Sequence, residues 1–148
     1  MTGAQTVVVV GQGYVGLPLA MRAVEVGFDV VGFDLDEAKI SGLRVGRSHI
    51  DDITDADVGR ALATGRYRPT MEPAELDRFD VAVNTVPTPL REGVPDLSFI
   101  ESAVELLGEH VAHGCTVVLE STTYPGTTDE LVAPTLEEMS GLKAGVDF

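Results

Sequence analysis

Four short apolar runs punctuate the chain, at Thr6–Val10, Asp29–Phe33, Val81–Thr85 and Thr116–Leu119. They are uninterrupted and rich in valine, the pattern of strands buried on both faces of a parallel sheet. Between them apolar residues recur at helical spacing. Leu17, Ala20, Met21 and Val24 fall at i, i+3, i+4 and i+7 of a helix predicted from about Tyr14 to Val26, and Gly27 supplies its left-handed C′ position. Phe99, Ile100, Ala103, Val104, Leu107 and Val111 mark one side of a helix over Leu97–Val111. Further helices are predicted over Asp36–Leu43, Ala56–Ala63 and Gly126–Met139, the last kinked by Pro134 and ended by Gly141. Arg44–Asp55 reads as a loop, Tyr67–Thr70 as a short extended piece, and Pro73–Phe79 as one or two helical turns. Residues 144–148 look like the start of one more strand. Strands alternating with helices predict an α/β fold, a doubly wound parallel sheet with helices on both faces. No repeat or linker divides residues 1–148, which read as one domain, the N-terminal portion of a longer polypeptide.

The turn after the first strand carries the strongest chemical signal. It reads Gly11-Gln12-Gly13-Tyr14-Val15-Gly16, and Asp34 ends the second strand 18 residues beyond Gly16. Strand, glycine turn, helix, strand and acid in that order make a dinucleotide-binding, Rossmann-type unit. Gly11 permits the tight turn, Gly13 lets backbone approach a pyrophosphate, and Gly16 lets the helix pack close to the strand. The first N–H groups of the helix, near Tyr14 and Val15, face the phosphates. Asp34 accepts hydrogen bonds from the adenosine ribose hydroxyls and repels a 2′-phosphate, so the pattern favours NAD over NADP. A phosphate-binding loop of the other common kind needs Gly-Lys-Ser/Thr, and Gly16 is followed by Leu17-Pro18.

Composition narrows the partners. A length of 148 residues suits one domain that buries on the order of 70% of its unfolded surface. The net charge of −14 argues against nucleic acid or an anionic membrane as partner. No apolar run approaches the roughly 20 residues of a membrane span, and the N-terminus lacks the basic region of a signal peptide. The single cysteine, Cys115, excludes an internal disulfide and fits a reducing cytoplasm.

Two other strand ends carry polar turns, Val86-Pro87-Thr88-Pro89 and Ser121-Thr122-Thr123-Tyr124-Pro125-Gly126. Thr88 and Thr122 there point hydroxyls toward a dinucleotide lying across the carboxyl ends of the strands. With these turns, the segments Gly11–Pro18, Val86–Leu90, Pro95–Phe99 and Glu120–Thr128 resemble the UDP-glucose/GDP-mannose dehydrogenase family, N-terminal NAD-binding domain, over essentially the whole chain. Gly13-Tyr14-Val15-Gly16-Leu17-Pro18 and Val86-Pro87-Thr88-Pro89-Leu90 are most similar to the branch that oxidises UDP-N-acetylhexosamines, such as the UDP-N-acetylmannosamine and UDP-N-acetylglucosamine 6-dehydrogenases. The resemblance implies that Tyr14 and Val15 contact pyrophosphate, that Asp34 and Lys39 meet the adenosine ribose, and that Thr88 and Thr122 lie on the nicotinamide side. Thr122 is also a candidate auxiliary to the reaction.

The implied chemistry is oxidation of a sugar C6 alcohol to a carboxylate with two NAD reduced, through a cysteine thioester. The resemblance puts that cysteine, with lysine and asparagine helpers, downstream of these 148 residues. It also implies a homo-oligomeric full-length enzyme with NAD and a UDP-sugar as partners. Cys115 opens an apolar strand with no adjacent cation and reads as a buried structural thiol. His110 and His113 read as exposed residues at a helix C-terminus rather than a metal pair. Glu120 reads as a solvated strand-end acid, and Tyr14 as either a stacking residue or a packing one. Two other readings explain the glycine turn and Asp34: another NAD-dependent dehydrogenase of the β-hydroxyacid type, and a stand-alone nucleotide-binding module. The first of these does not account for Ser121–Thr128.

Overall fold

Val7, Val8, Val9 and Val10 are all buried because the strand that holds them has a helical layer on each side. A computed structural model of the chain describes residues 5–148. Its main sheet is built from β1 (Thr6–Val10), β2 (Asp29–Phe33), β3 (Tyr67–Thr70), β4 (Val81–Asn84) and β7 (Thr116–Leu119). The order is β3-β2-β1-β4-β7, and every pairing is parallel. The remaining two strands, β5 (Leu90–Arg91) and β6 (Val94–Pro95), form a small antiparallel hairpin.

Alternation along each strand sends side chains to opposite layers. Val8, Val10, Val31, Phe33 and Ala82 pack with α4 (Ser98–Gly108) and α5 (Ala133–Ser140). Val7, Val9, Val30 and Val83 pack with α1 (Gly16–Glu25), α2 (Glu37–Arg44) and α3 (Asp55–Ala63). Helix starts follow local chemistry. Asp36 caps α2 by accepting from the N–H groups of Ala38 and Lys39, and Thr54 with Asp57 closes a reciprocal capping box on α3. Gly27 and Gly141 take the left-handed region just past α1 and α5.

The extended piece at Tyr67–Thr70 is an edge strand of the main sheet, where Pro69 is tolerated. Other expectations are corrected. Thr116–Leu119 is the opposite edge and only partly buried, because it has one neighbour, β4. The helix predicted from Gly126 begins as a π-helical turn at Thr128–Val132 before α5. The Ala133 N–H donates to Thr128 O across that wider turn, and Pro134 follows in the first turn of α5. Nothing in the apolar pattern marks the hairpin; Glu92 and Gly93 both have positive φ, as a two-residue type I′ hairpin turn requires. Residues 144–148 form turns rather than a strand, with Asp147 N–H donating to Lys143 O at 2.8 Å. Phe99, assigned to the apolar side of α4, is 48% exposed. Among the described residues, no helix is long and apolar enough to cross a membrane.

Candidate functional site

The carboxyl ends of β1, β2, β4 and β7 share one rim of the sheet, and the sequence-predicted site residues gather there. β1 ends at Val10 and the chain turns at Gly11, whose φ is 92°. Gly16 leaves no space for a side chain: a Cβ would lie 1.7 Å from Gly11 O and 2.5 Å from Thr85 Oγ1. Gly13 differs from both. Its φ is not positive, and a Cβ there would meet no protein atom within 4 Å. Neither backbone conformation nor packing within the chain calls for glycine at that position. The N–H groups of Gly13, Tyr14 and Val15 have no acceptor among the described residues. Tyr14 is 71% exposed, so its ring does not serve the packing role considered for it.

Gln12, between the first two glycines, is fully buried and bonded at every polar group. Its main-chain N–H donates to Asp34 Oδ2 at 2.8 Å, and its main-chain oxygen accepts from His49 Nε2 at 2.6 Å. The side-chain Nε2 donates to Val9 O at 3.0 Å and Gly11 O at 3.2 Å, while Oε1 accepts from Tyr67 Oη–H at 2.7 Å. Gly32 makes room for this amide, since a Cβ would stand 2.5 Å from Gln12 Oε1. Burial, and then the charge of Asp34, push the Tyr67 phenol well above its ordinary range and keep it a protonated donor.

Asp34 is held from three sides. Besides Gln12, the N–H of Asp36 donates to Oδ1 at 2.9 Å, and Lys39 Nζ lies 3.7 Å from Oδ2. A carboxylate offers about four acceptor sites, so both oxygens keep capacity for a ligand hydroxyl. On the other strand ends, Thr85 donates to Val10 O and Gly11 O, each at 2.8 Å, fastening β4 to the glycine turn. Thr88 Oγ1 donates to Thr122 O at 2.6 Å, and Ser121 Oγ donates to Val86 O at 2.8 Å. The Thr88 hydroxyl proton is thus committed to the neighbouring loop, and the exposed Thr122 side chain projects beside it.

Two hollows open on this rim and share Gly11, Asp34, Lys39, Val86 and Pro87 as walls. One, about 600 Å³, is lined by Leu35, Phe99, Ala103 and Leu106 with Ser98 and Ser102. The other, about 350 Å³, is lined by Gly13, Tyr14, Val15, Thr85, Thr88, Glu120 and Thr122. They lie where strand order reverses between β1 and β4, the crevice in which open α/β sheets bind ligands. An apolar-walled pocket, an acid, a row of free N–H groups and a polar pocket follow one another across it. That sequence suits an adenosine, a pyrophosphate and a second nucleoside. A separate groove of about 450 Å³ lies between α1 and α3, away from the strand ends.

Sequence reasoning missed the side chains of Gln12, His49 and Thr85, and the apolar walls Leu35 and Phe99. A glutamine between two glycines and a threonine closing an apolar run were visible signals; His49 in an irregular loop was not. Cys115 is 4% exposed in the apolar cluster with Leu107 and Leu136. His110 is not the exposed residue expected, since its side chain is 10% exposed and Nδ1 lies 2.6 Å from Asp77 Oδ1. His113 is exposed, 3.4 Å from Asp147.

Comparison with known proteins agrees with this geometry. Residues 5–148 match the UDP-glucose/GDP-mannose dehydrogenase family, NAD binding domain. The UDP-N-acetyl-D-mannosamine dehydrogenase of Pyrococcus horikoshii is 37% identical over 143 residues, 96% of this chain and 34% of that protein. The UDP-N-acetyl-D-glucosamine 6-dehydrogenase of Pseudomonas aeruginosa is 41% identical over 145 residues, 96% of this chain and 33% of that protein. The solved UDP-N-acetylmannosamine dehydrogenase structure from Pyrococcus horikoshii superposes with a TM-score of 0.93 at 36% identity, covering 97% of this chain and 34% of that one. A ternary complex of GDP-mannose dehydrogenase from Pseudomonas aeruginosa gives 0.89 at 35% identity, covering 96% and 34%. The chain thus spans about a third of the length of the curated relatives it matches. It belongs to the UDP-glucose/GDP-mannose dehydrogenase family, as an NAD-binding domain.

Proposed function

We propose that the chain is the NAD-binding portion of a nucleotide-sugar 6-dehydrogenase, an enzyme that oxidises the C6 alcohol of a UDP-sugar to the uronic acid with two NAD. The observation that carries the cofactor placement is Gly13, a glycine with no reason inside the chain beside three N–H groups without protein acceptors. A pyrophosphate supplies both the missing steric reason and the missing acceptors. In this reading Gly11, Gly13, Tyr14, Val15 and Gly16 form the phosphate turn, and Asp34 with Lys39 takes the adenosine ribose. Leu35 and Phe99 flank the adenine. Thr88 and Thr122 meet the nicotinamide side, where bound NAD accepts the hydride. The domain's own contribution is orientation: it holds the cofactor rigidly along the crevice and leaves the nicotinamide side open to the sugar.

The substrate proposed is a UDP-N-acetylhexosamine, on the strength of the names and 37% and 41% identities of the two relatives above. The double oxidation needs a thiolate nucleophile, which Cys115 in its apolar cluster does not offer, so we assign that role to a part of the enzyme outside these residues. We further propose a cytoplasmic, homo-oligomeric enzyme with no nucleic-acid or membrane partner, consistent with the acidic charge. Assay of a polypeptide that joins this domain to the remaining two-thirds found in its relatives tests the reading. UDP-N-acetylmannosamine, UDP-N-acetylglucosamine and UDP-glucose are offered, and NADH is counted against sugar consumed. Two NADH per sugar is expected; one per sugar, or no turnover with any of the three, overturns it.

A further inference from the structure

We propose that His49 is a positioning residue for the cofactor's pyrophosphate, acting through the carbonyl of Gln12. The proposal rests on the placement of the pyrophosphate at the glycine turn. A carbonyl oxygen only accepts, so the 2.6 Å contact requires that His49 Nε2 carry a hydrogen. The oxygen of Gln12 and the N–H of Gly13 belong to one planar trans peptide and point in opposite directions. A donor fixed on the oxygen therefore aims the Gly13 N–H away from His49, and that N–H has no acceptor among the described residues. It also polarises the peptide and strengthens that N–H as a donor to an anion.

The loop that carries His49 is built to hold it still. Ser48 N–H donates to Asp55 Oδ1 at 2.8 Å, and Ser48 Oγ donates to Ile50 O at 3.0 Å. Ile50, the next residue, is buried in the cluster under α2 and α3. The imidazole itself sits at the surface, and its one hydrogen bond in the protein among the described residues goes to the turn 37 positions earlier. Gln12 is clamped from three other directions by Asp34, Tyr67 and its own amide. His49 is the only one of these clamps that touches the Gln12–Gly13 peptide at its oxygen.

Titration of NAD, ADP and adenosine into the 148-residue chain and into its His49→Ala and His49→Gln variants tests this role. Loss of one hydrogen bond should weaken NAD and ADP about fivefold to tenfold in His49→Ala, and leave adenosine within about twofold of wild type. His49→Gln, whose amide N–H can reach the same oxygen, should recover most of the loss. The proposal is overturned if His49→Ala binds NAD as wild type does, if adenosine weakens by the same factor as ADP, or if His49→Gln recovers nothing. A wild-type chain that binds ADP no more tightly than adenosine overturns the pyrophosphate placement itself, and the role of His49 with it.

Discussion

The main-chain N–H of Gln12 donates to Asp34 Oδ2 at 2.8 Å, which ties the glycine turn to the acid at the end of β2. The carboxylate has two tasks there, orienting the turn and receiving a ribose. Asp34→Ala loses both, and should weaken NAD by about 1.5–3 kcal/mol, the range for hydrogen bonds to a charged group. Asp34→Asn keeps an acceptor for Gln12 N–H but removes the charge that repels a 2′-phosphate. The wild type should prefer NAD to NADP, and the asparagine variant should narrow that preference. Calorimetric titration of both cofactors decides the matter, and an equal affinity of the wild type for the two would reject the role given to Asp34.

Gly13 and Gly16 stand three residues apart and should respond to substitution in opposite ways. Gly13→Val places its side chain where no protein atom lies within 4 Å. It should leave the thermal melt and circular dichroism nearly unchanged while abolishing NAD binding. Gly16→Ala drives a methyl into Gly11 O and Thr85 Oγ1. It should cost about 1–3 kcal/mol of stability or more, as overpacking does, before any question of cofactor arises. Wild-type NAD affinity in Gly13→Val would mean that the glycine has no ligand to make way for.

Tyr67 offers a test at alkaline pH. Its phenol is buried against Gln12 Oε1 with Asp34 near, and is held protonated well above its ordinary value of about 10. The unfolded chain releases this proton first, so the stabilisation is fully present below pH 10 and declines as pH rises above it. Each pH unit in that window should remove up to about 1.4 kcal/mol of unfolding free energy. Tyr67→Phe removes this titrating group and should flatten the decline, while lowering stability at neutral pH by about 1–3 kcal/mol because Gln12 Oε1 loses its donor. Chemical denaturation of both proteins at pH 8, 10 and 11 reads both effects.

The parts of the fold visible in the sequence are those fixed by local chemistry. Val7–Val10 and Val30–Phe33 read as strands because burial on both faces leaves no polar position to confuse the period. Gly27 and Gly141 marked helix ends because a left-handed residue is needed there. The edges of the sheet were harder to read: β3 carries Pro69 and β7 is half exposed, so neither has the uniform burial that makes a strand obvious. In the site, the glycines and Asp34 follow from backbone geometry and charge, and were legible. Gln12, Tyr67 and Gly32 form one buried set only because β1 and β3 both flank β2. No spacing along the chain announces a contact between residues 12 and 67.

The last expectation concerns what the domain does by itself. With saturating NAD, the 148-residue chain should not oxidise UDP-N-acetylmannosamine, UDP-N-acetylglucosamine or UDP-glucose. Hydride transfer needs the sugar C6 held against the nicotinamide, and such orientation contributes about 7–11 kcal/mol of a barrier. The walls of the polar hollow offer Thr88, Glu120 and Thr122 for that purpose and no cation for a substrate diphosphate beyond Lys39, which is already paired with Asp34. The second oxidation also needs a thiolate, and Cys115 is 4% exposed among aliphatic side chains. NADH absorbance over hours at high protein concentration is the measurement. Turnover that disappears in Cys115→Ser would show that the thiol reaches substrate and that this domain carries its own chemistry. Turnover untouched by that substitution would place a hydride-transfer site wholly within the crevice, with Thr122→Ala as the next variant to examine.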